Sequence, residues 1–112
     1  MMGRITLEGL IRVPPERLDA VLAELGAHIR STREEEGCIV FRVDQRSDES
    51  SVFDVYEEFA DRAAFDAHQE RVKESSWGAC TKDLVREYTI TDASGASPDR
   101  DGFEAARNLD TR

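Results

Sequence analysis

Long apolar runs are missing from this 112-residue chain. No stretch approaches the ~20 residues that a membrane helix needs. The opening MMGRITLEGLIRV reaches Glu8 and Arg12 before a signal-like apolar segment forms, so no leader is expected and a cytoplasmic location is the default. Cysteine is scarce. Cys38 and Cys80 stand far apart, outside any Cys-x-x-Cys or Cys/His spacing, which gives neither a disulfide framework nor a zinc site. Basic residues are few as well: 15 against 24 acids leave a net charge of -9. A surface that negative repels phosphates and anionic lipid, so nucleic acid binding is the first class to go. There is no internal repeat and no low-complexity tract.

What is present is enough for one domain with one core. Residues Ile5–Val13 alternate, with Ile5, Leu7, Gly9, Ile11 and Val13 on one side, and so predict a strand. Pro14 and Pro15 end it and suit the first turn of a helix. The stripe Leu18, Val21, Leu22, Leu25, Ile29 then carries that helix to about Arg33–Glu36, where Gly37 can take a left-handed turn. His28 lies well off the stripe's centre and reads as a half-exposed flank residue. Glu34, Glu35 and Glu36 read as a solvated helix end.

Two runs, Cys38–Gln45 and Val52–Phe59, are rich in β-branched and aromatic residues and flank the polar loop 46–51, a hairpin pattern. Asp61 is a good N-cap for the next helix. There Phe65, His68 and Val72 share one face, so the imidazole points toward the sheet. Ser75–Gly78 breaks the pattern, Ala79–Asp83 suits a short helical turn, and Leu84–Thr91 is the last strand. The order β-α-β-β-α-β predicts a ferredoxin-like α+β fold over residues 1–91, a four-stranded antiparallel sheet with both helices on one face.

The remaining residues, 92–112, read as a linker followed by a short amphipathic segment at Phe103, Ala106 and Leu109. A helix that short must dock to be ordered. Large apolar groups occur on both sides of the hairpin strands: Phe53, Val55 and Phe59 on one, Val52 and Tyr56 on the other. Apolar groups on the face away from the helices point to an interface, and hence to a sheet-to-sheet homodimer.

The run Glu36–Gly37–Cys38–Ile39–Val40–Phe41, followed by Phe53-x-Val55-x-Glu57-x-Phe59-x-Asp61-x-x-Ala64-Phe65-x-Ala67-His68, resembles the antibiotic biosynthesis monooxygenase family. That family's usual pattern is E-x-G-C, a hydrophobic strand and turn, F-x-L-x-E-x-W, then D-x-x-A-L-x-x-H. The likeness covers about residues 3–91. It implies a dimeric α/β barrel and oxygenation of quinols, anthrones or similar aromatics without metal, flavin or haem. Here Phe59 stands in place of the usual tryptophan, and Glu74–Ser75–Ser76–Trp77 replaces a frequent His-Phe pair. A haem-degrading branch fits poorly, because no second histidine stands where it could serve beside His68.

Oxygenation of this kind needs a base, a group to hold the resulting anion, and a dry site. His68 has the intrinsic range for the base, and Glu57 is the residue that the resemblance favours to orient it. Arg86 or Arg12 can stabilise an oxyanion. Tyr56, Trp77, Tyr88 and Phe65 are the candidates to contact a flat ring. Each has a structural alternative: His68 bonded to a backbone carbonyl or to Glu57, Glu57 in an interface ion pair, Trp77 as a core plug or dimer contact, Tyr56 in a dimer seam. The expected partners are a small aromatic substrate, O2 and a second copy of the chain. The competing reading is a non-catalytic dimeric barrel that binds an apolar ligand or a protein.

Overall fold

The structure is a computed structural model and describes residues 3–93. Residues 94–112, with the helix expected at Phe103–Leu109, lie outside the described residues. Strand β1 spans Ile5–Arg12, and a single 3-10 turn at Pro15–Arg17 leads into helix α1, Leu18–Arg33. The hairpin is β2, Cys38–Gln45, and β3, Val52–Phe59. Helices α2, Arg62–Lys73, and α3, Ser76–Thr81, precede β4, Val85–Asp92. The four strands order β2-β3-β1-β4, every pair antiparallel, in the ferredoxin-like α+β arrangement.

Strand parity decides which side chains meet the helices. Leu7, Ile11, Phe41, Val43, Phe53, Val55, Phe59 and Ile90 are all buried in the core. The other face carries Glu8, Arg12, Arg42, Asp44, Asp54 and Glu87, with Leu10, Val40 and Tyr56 half-buried among them. That face is richer in charge than the hairpin's apolar residues suggested. Arg46 holds Asp54 at 2.9 Å and Arg12 holds Glu87 at 3.2 Å. At the start of β2 the register slips between Cys38 and Val40. The bulge leaves Ile39 47% exposed on the sheet's edge, although strand alternation alone would pair it inward.

Three local features set the helices. Gly37 has φ +91°, a conformation that costs glycine little, and it turns the chain from α1 into β2. Asp61 Oδ1 accepts the Ala64 N–H at 2.8 Å and starts α2. Ser75 caps α3 in the same way, its Oγ accepting from Gly78 N–H at 3.0 Å. A helix therefore begins where the sequence suggested only a break. Gly78 is needed there because a Cβ would stand 1.9 Å from the Val72 carbonyl oxygen.

The buried side of α1 is Val21, His28 and Thr32, while Leu22 is 40% exposed. The helix is thus rolled away from the centre of its apolar stripe. The cause is α3, which packs against α1 and α2 and brings Trp77 over the α1 flank. His28 is consequently buried rather than half-exposed.

Candidate functional site

Between sheet and helices the core turns polar. His68 hangs from α2, is only 3% exposed, and is wedged by the Phe59 ring at 4.9 Å and the Phe41 ring at 5.7 Å. The capped start of α2 sets its direction. Its Nδ1 lies 2.9 Å from Glu35 Oε1, and its Nε2 lies 4.0 Å from Glu57 Oε1. The second oxygen of Glu35 accepts from Arg71 Nε. The Arg71 Nη2 donates to Thr32 Oγ1 at 2.9 Å, which ties the end of α1 to α2.

Burial pushes the Glu35 carboxyl up, but hydrogen bonds from His68 and Arg71 outweigh it and hold the group below its ordinary range. An ionised carboxylate only accepts hydrogen bonds. The proton of a neutral His68 therefore sits on Nδ1, and Nε2 keeps a lone pair on the side of Glu57.

This is the main correction at the site. The resemblance favoured Glu57 as the orienting acid and the acidic run read as solvated, yet Glu35 makes the close contact. Glu57 is buried at 6% exposure and stands beside the imidazole without hydrogen-bond contact to it. A signal for Glu35 was present, since E-x-G-C read strictly is Glu35-x-Gly37-Cys38. What the chain could not show locally was the partner on another helix.

Thirteen residues enclose a cavity beside His68, among them Glu57, Gln69, Trp77, Arg86, Tyr88 and His28. The open space is about 30 Å3, room for a water or two. Arg86 is fixed in its wall, with Nη1 donating to the Thr81 carbonyl and Nη2 to Thr81 Oγ1, both at 2.8 Å. The anchored guanidinium brings positive charge to the cavity. Trp77 forms part of the wall and stacks on His28, ring centroids 4.6 Å apart and planes 5° from parallel. Burial, which penalises the charged ring, pushes His28 down to about 3. It is a neutral ring, and its Nδ1 has no hydrogen-bond partner among the described residues.

Four expected residues, His68, Arg86, Trp77 and Tyr88, meet at this cavity, and Glu57 lines it. Two do not. Tyr56 is the neighbour of Glu57 on β3 and so faces the opposite side, where its hydroxyl donates to Glu58 and Arg42 lies over its ring at 5.8 Å. Phe65 is a core residue, edge-on to Phe59 at 5.8 Å, and is absent from the cavity wall. Arg12, the alternative to Arg86, also lies on the open face. Cys38 and Cys80 are free thiols. Burial and the nearby Glu35 and Glu57 push the Cys38 thiol up, which makes it a poor nucleophile. Among the described residues no group of three or more His, Cys, Asp or Glu is placed to hold a metal ion, and no helix is long and apolar enough to cross a membrane.

The family model for antibiotic biosynthesis monooxygenases matches residues 4–73. Among solved structures, MupZ from Pseudomonas fluorescens superposes with a TM-score of 0.69 at 16% identity, covering 95% of this chain and 78% of that one. A Nitrosomonas europaea protein carrying the provisional name antibiotic biosynthesis monooxygenase gives 0.67 at 18% identity, covering 87% and 96%. A conserved protein from Methanosarcina mazei Go1 gives 0.64 at 24% identity, covering 80% and 92%. At these identities the likeness establishes the fold. Among curated proteins the chain has no match.

Proposed function

The chain belongs to the antibiotic biosynthesis monooxygenase family, and on that premise we propose that it is a cofactor-independent monooxygenase of a quinol, anthrone or similar hydroxyaromatic. The observation that carries this reading is the orientation of His68. Its Nδ1 is held by Glu35, and its Nε2 stands on the cavity side near Glu57. That is how a general base is presented, with the second nitrogen fixed by a carboxylate that also stabilises the imidazolium once formed.

For an anthrone, whose reacting carbon carries two hydrogens, the steps balance without an outside reductant. His68 Nε2 takes a proton from the substrate, and the resulting anion transfers electrons to O2 and forms a C–O bond. The imidazolium then returns its proton as the O–O bond breaks, while the same carbon gives up a second proton. One oxygen atom remains in the product carbonyl and the other leaves as water. Arg86 opposes the negative charge that develops on oxygen. Trp77 and Tyr88 flank the ring, and closure of the apolar wall excludes water.

A ring needs more space than about 30 Å3, so part of the wall must shift when substrate enters. Helix α3 is the element to move, because it carries Trp77 and packs on α1 and α2. The closed cavity is also the one observation that favours the second reading, a non-catalytic barrel that takes an apolar ligand or a protein partner.

A homodimer through the open sheet face belongs to the same proposal. Leu10, Val40 and Tyr56, set among charges of both signs, suit a face that meets its own copy across a two-fold axis. Leu10→Asp should then lower the sedimentation coefficient to that of a monomer. Two free thiols fit a reducing cytoplasm.

The test is oxygen uptake by metal-free protein with a panel of quinols and anthrones, wild type beside His68→Ala. Uptake above autoxidation, falling by roughly 10²–10⁴-fold in a variant that keeps its circular dichroism, supports the base role. Uptake equal to buffer across the panel removes the oxygenase reading and leaves the ligand-binding one.

A further inference from the structure

The cavity beside His68 holds a second imidazole, that of His28, and the reaction proposed above leaves it without a task. His28 comes from α1, is 6% exposed and lines the same cavity, its ring centroid 6.1 Å from that of His68. The two rings are held differently. His68 has a carboxylate oxygen near each nitrogen, Glu35 at 2.9 Å and Glu57 at 4.0 Å. Arg86, in the same wall, donates from both Nη atoms to Thr81. His28 Nδ1 is buried with no hydrogen-bond partner among the described residues.

Packing does not explain an imidazole at this position. A buried polar nitrogen left unbonded destabilises the fold, and a phenylalanine could stack on Trp77 without that cost. Buried polar groups in native proteins are normally bonded, and the cavity is where a partner for this one can enter. Burial keeps the ring neutral, so it does not draw in an anion by charge. A neutral imidazole carries one N–H and one lone pair. A hydroxyl both donates and accepts, so it bonds Nδ1 in either tautomer, whereas a carbonyl oxygen or an ammonium suits only one. The ring planes fix how such a ligand lies. An imidazole nitrogen bonds in the plane of its ring, and the larger Trp77 indole is stacked 4.6 Å away with its plane 5° from parallel. A flat molecule bonded edge-on to His28 therefore runs along the indole face, in the offset stacking that aromatic rings favour.

We propose that His28 is a specificity-determining residue, its Nδ1 bonding a hydroxyl of the substrate other than the group that gives its proton to His68. The ligand class is thereby narrowed to a flat aromatic with a second hydroxyl, lying along Trp77 with one polar group at each imidazole. The part this contact plays in turnover rests on the oxygenase reading; the binding preference does not.

The experiment is an anaerobic titration of the full chain, which reads binding without turnover. Protein labelled at its histidine nitrogens is titrated with the two naphthols and with the isomeric naphthalenediols. At least one diol is expected to bind about tenfold more tightly than either naphthol, because a site that bonds a hydroxyl rejects the analogue lacking it. That diol should shift the His28 Nδ1 resonance, and the naphthols should leave it in place. In His28→Phe, which keeps a ring against Trp77, the advantage of the diol should shrink to less than about twofold while the circular dichroism is retained. Diols that bind no better than the naphthols, or not at all, overturn the proposal. A preference that survives His28→Phe, or one that leaves Nδ1 unmoved, overturns it too, because another group then reads the hydroxyl. If His28→Phe does not fold, the Nδ1 resonance of the wild type decides alone. A diol preference carried by Nδ1 in a protein without oxygen uptake would retain this contact and lose the oxygenase.

Discussion

The two faces of one sheet use the same residue types to different ends. On the open face Arg46 meets Asp54 and Arg12 meets Glu87, both pairs exposed to solvent. On the helix face His68, Glu57 and Arg86 are each at least nine-tenths buried. In water the field of a charge is screened and an ion pair adds little. Inside, the same field acts at close range on its neighbours, and it helps hold His28 neutral while Glu35 remains ionised. The contrast teaches that charge becomes chemistry here through alternation alone: Tyr56 and Glu57 are adjacent in sequence and stand in opposite environments.

Substitutions can break that contrast, and the largest effect is expected in packing. Phe59, fully buried against Phe65 and His68, should cost about 3–5 kcal/mol as Phe59→Ala in urea denaturation. Val85→Ala on the open face, where the side chain is 55% exposed, should stay within about 0.5 kcal/mol.

Acid should sharpen the contrast next. The folded-state pKa of His28 is about 3, below the unfolded value of about 6.5. The unfolded chain binds a proton first, so stability falls as pH drops from about 6.5 toward 3. By pH 5 this one group removes about 2 kcal/mol. His28→Phe keeps a ring against Trp77 and removes the titration. The difference between wild type and variant, measured by denaturation at pH 7 and pH 5, should change by that amount. A constant difference would show that His28 is charged in the folded state.

A smaller effect is expected in turnover. Glu35→Gln leaves a hydrogen-bonding side chain beside His68 but no charge, and should lower kcat about tenfold, or about 1.4 kcal/mol. Its pH dependence has the opposite origin to that of His28. The carboxyl of Glu35 sits below its ordinary range, so its contribution to stability is present above about pH 4.3 and fades as pH falls through the folded value. The stability gap between wild type and Glu35→Gln should therefore close in acid. Tyr56→Phe, on the other face, should change kcat less than twofold. Last comes Arg46→Ala, which removes an exposed pair and should shift the denaturation midpoint by no more than its error.

The order of elements was legible because strand alternation and the helical stripe are local signals. Gly37 and Asp61 marked their turns for equally local reasons. What stayed hidden depends on elements far apart in the chain. His28 looked like a flank residue until α3 laid Trp77 over α1, and no period within α1 carries that information. Glu35 looked solvated because a run of three acids usually is, and its partners Arg71 and His68 lie one helix away. Tyr56 was within reach of sequence reasoning. Once Glu57 is assigned to the cavity, parity alone sends Tyr56 to the other face.

The bulge at Ile39 bears on how copies of this molecule can meet. A straight edge strand offers an unbroken row of amides and carbonyls, a template for open-ended stacking. Here β2 is an edge strand, and the slip between Cys38 and Val40 interrupts that row near its beginning. Farther along, Arg42 and Asp44 set charges at the same border. Fibrillar growth along the sheet is thereby discouraged, and aggregation resistance is built into the same strand that lends Phe41 to the interior.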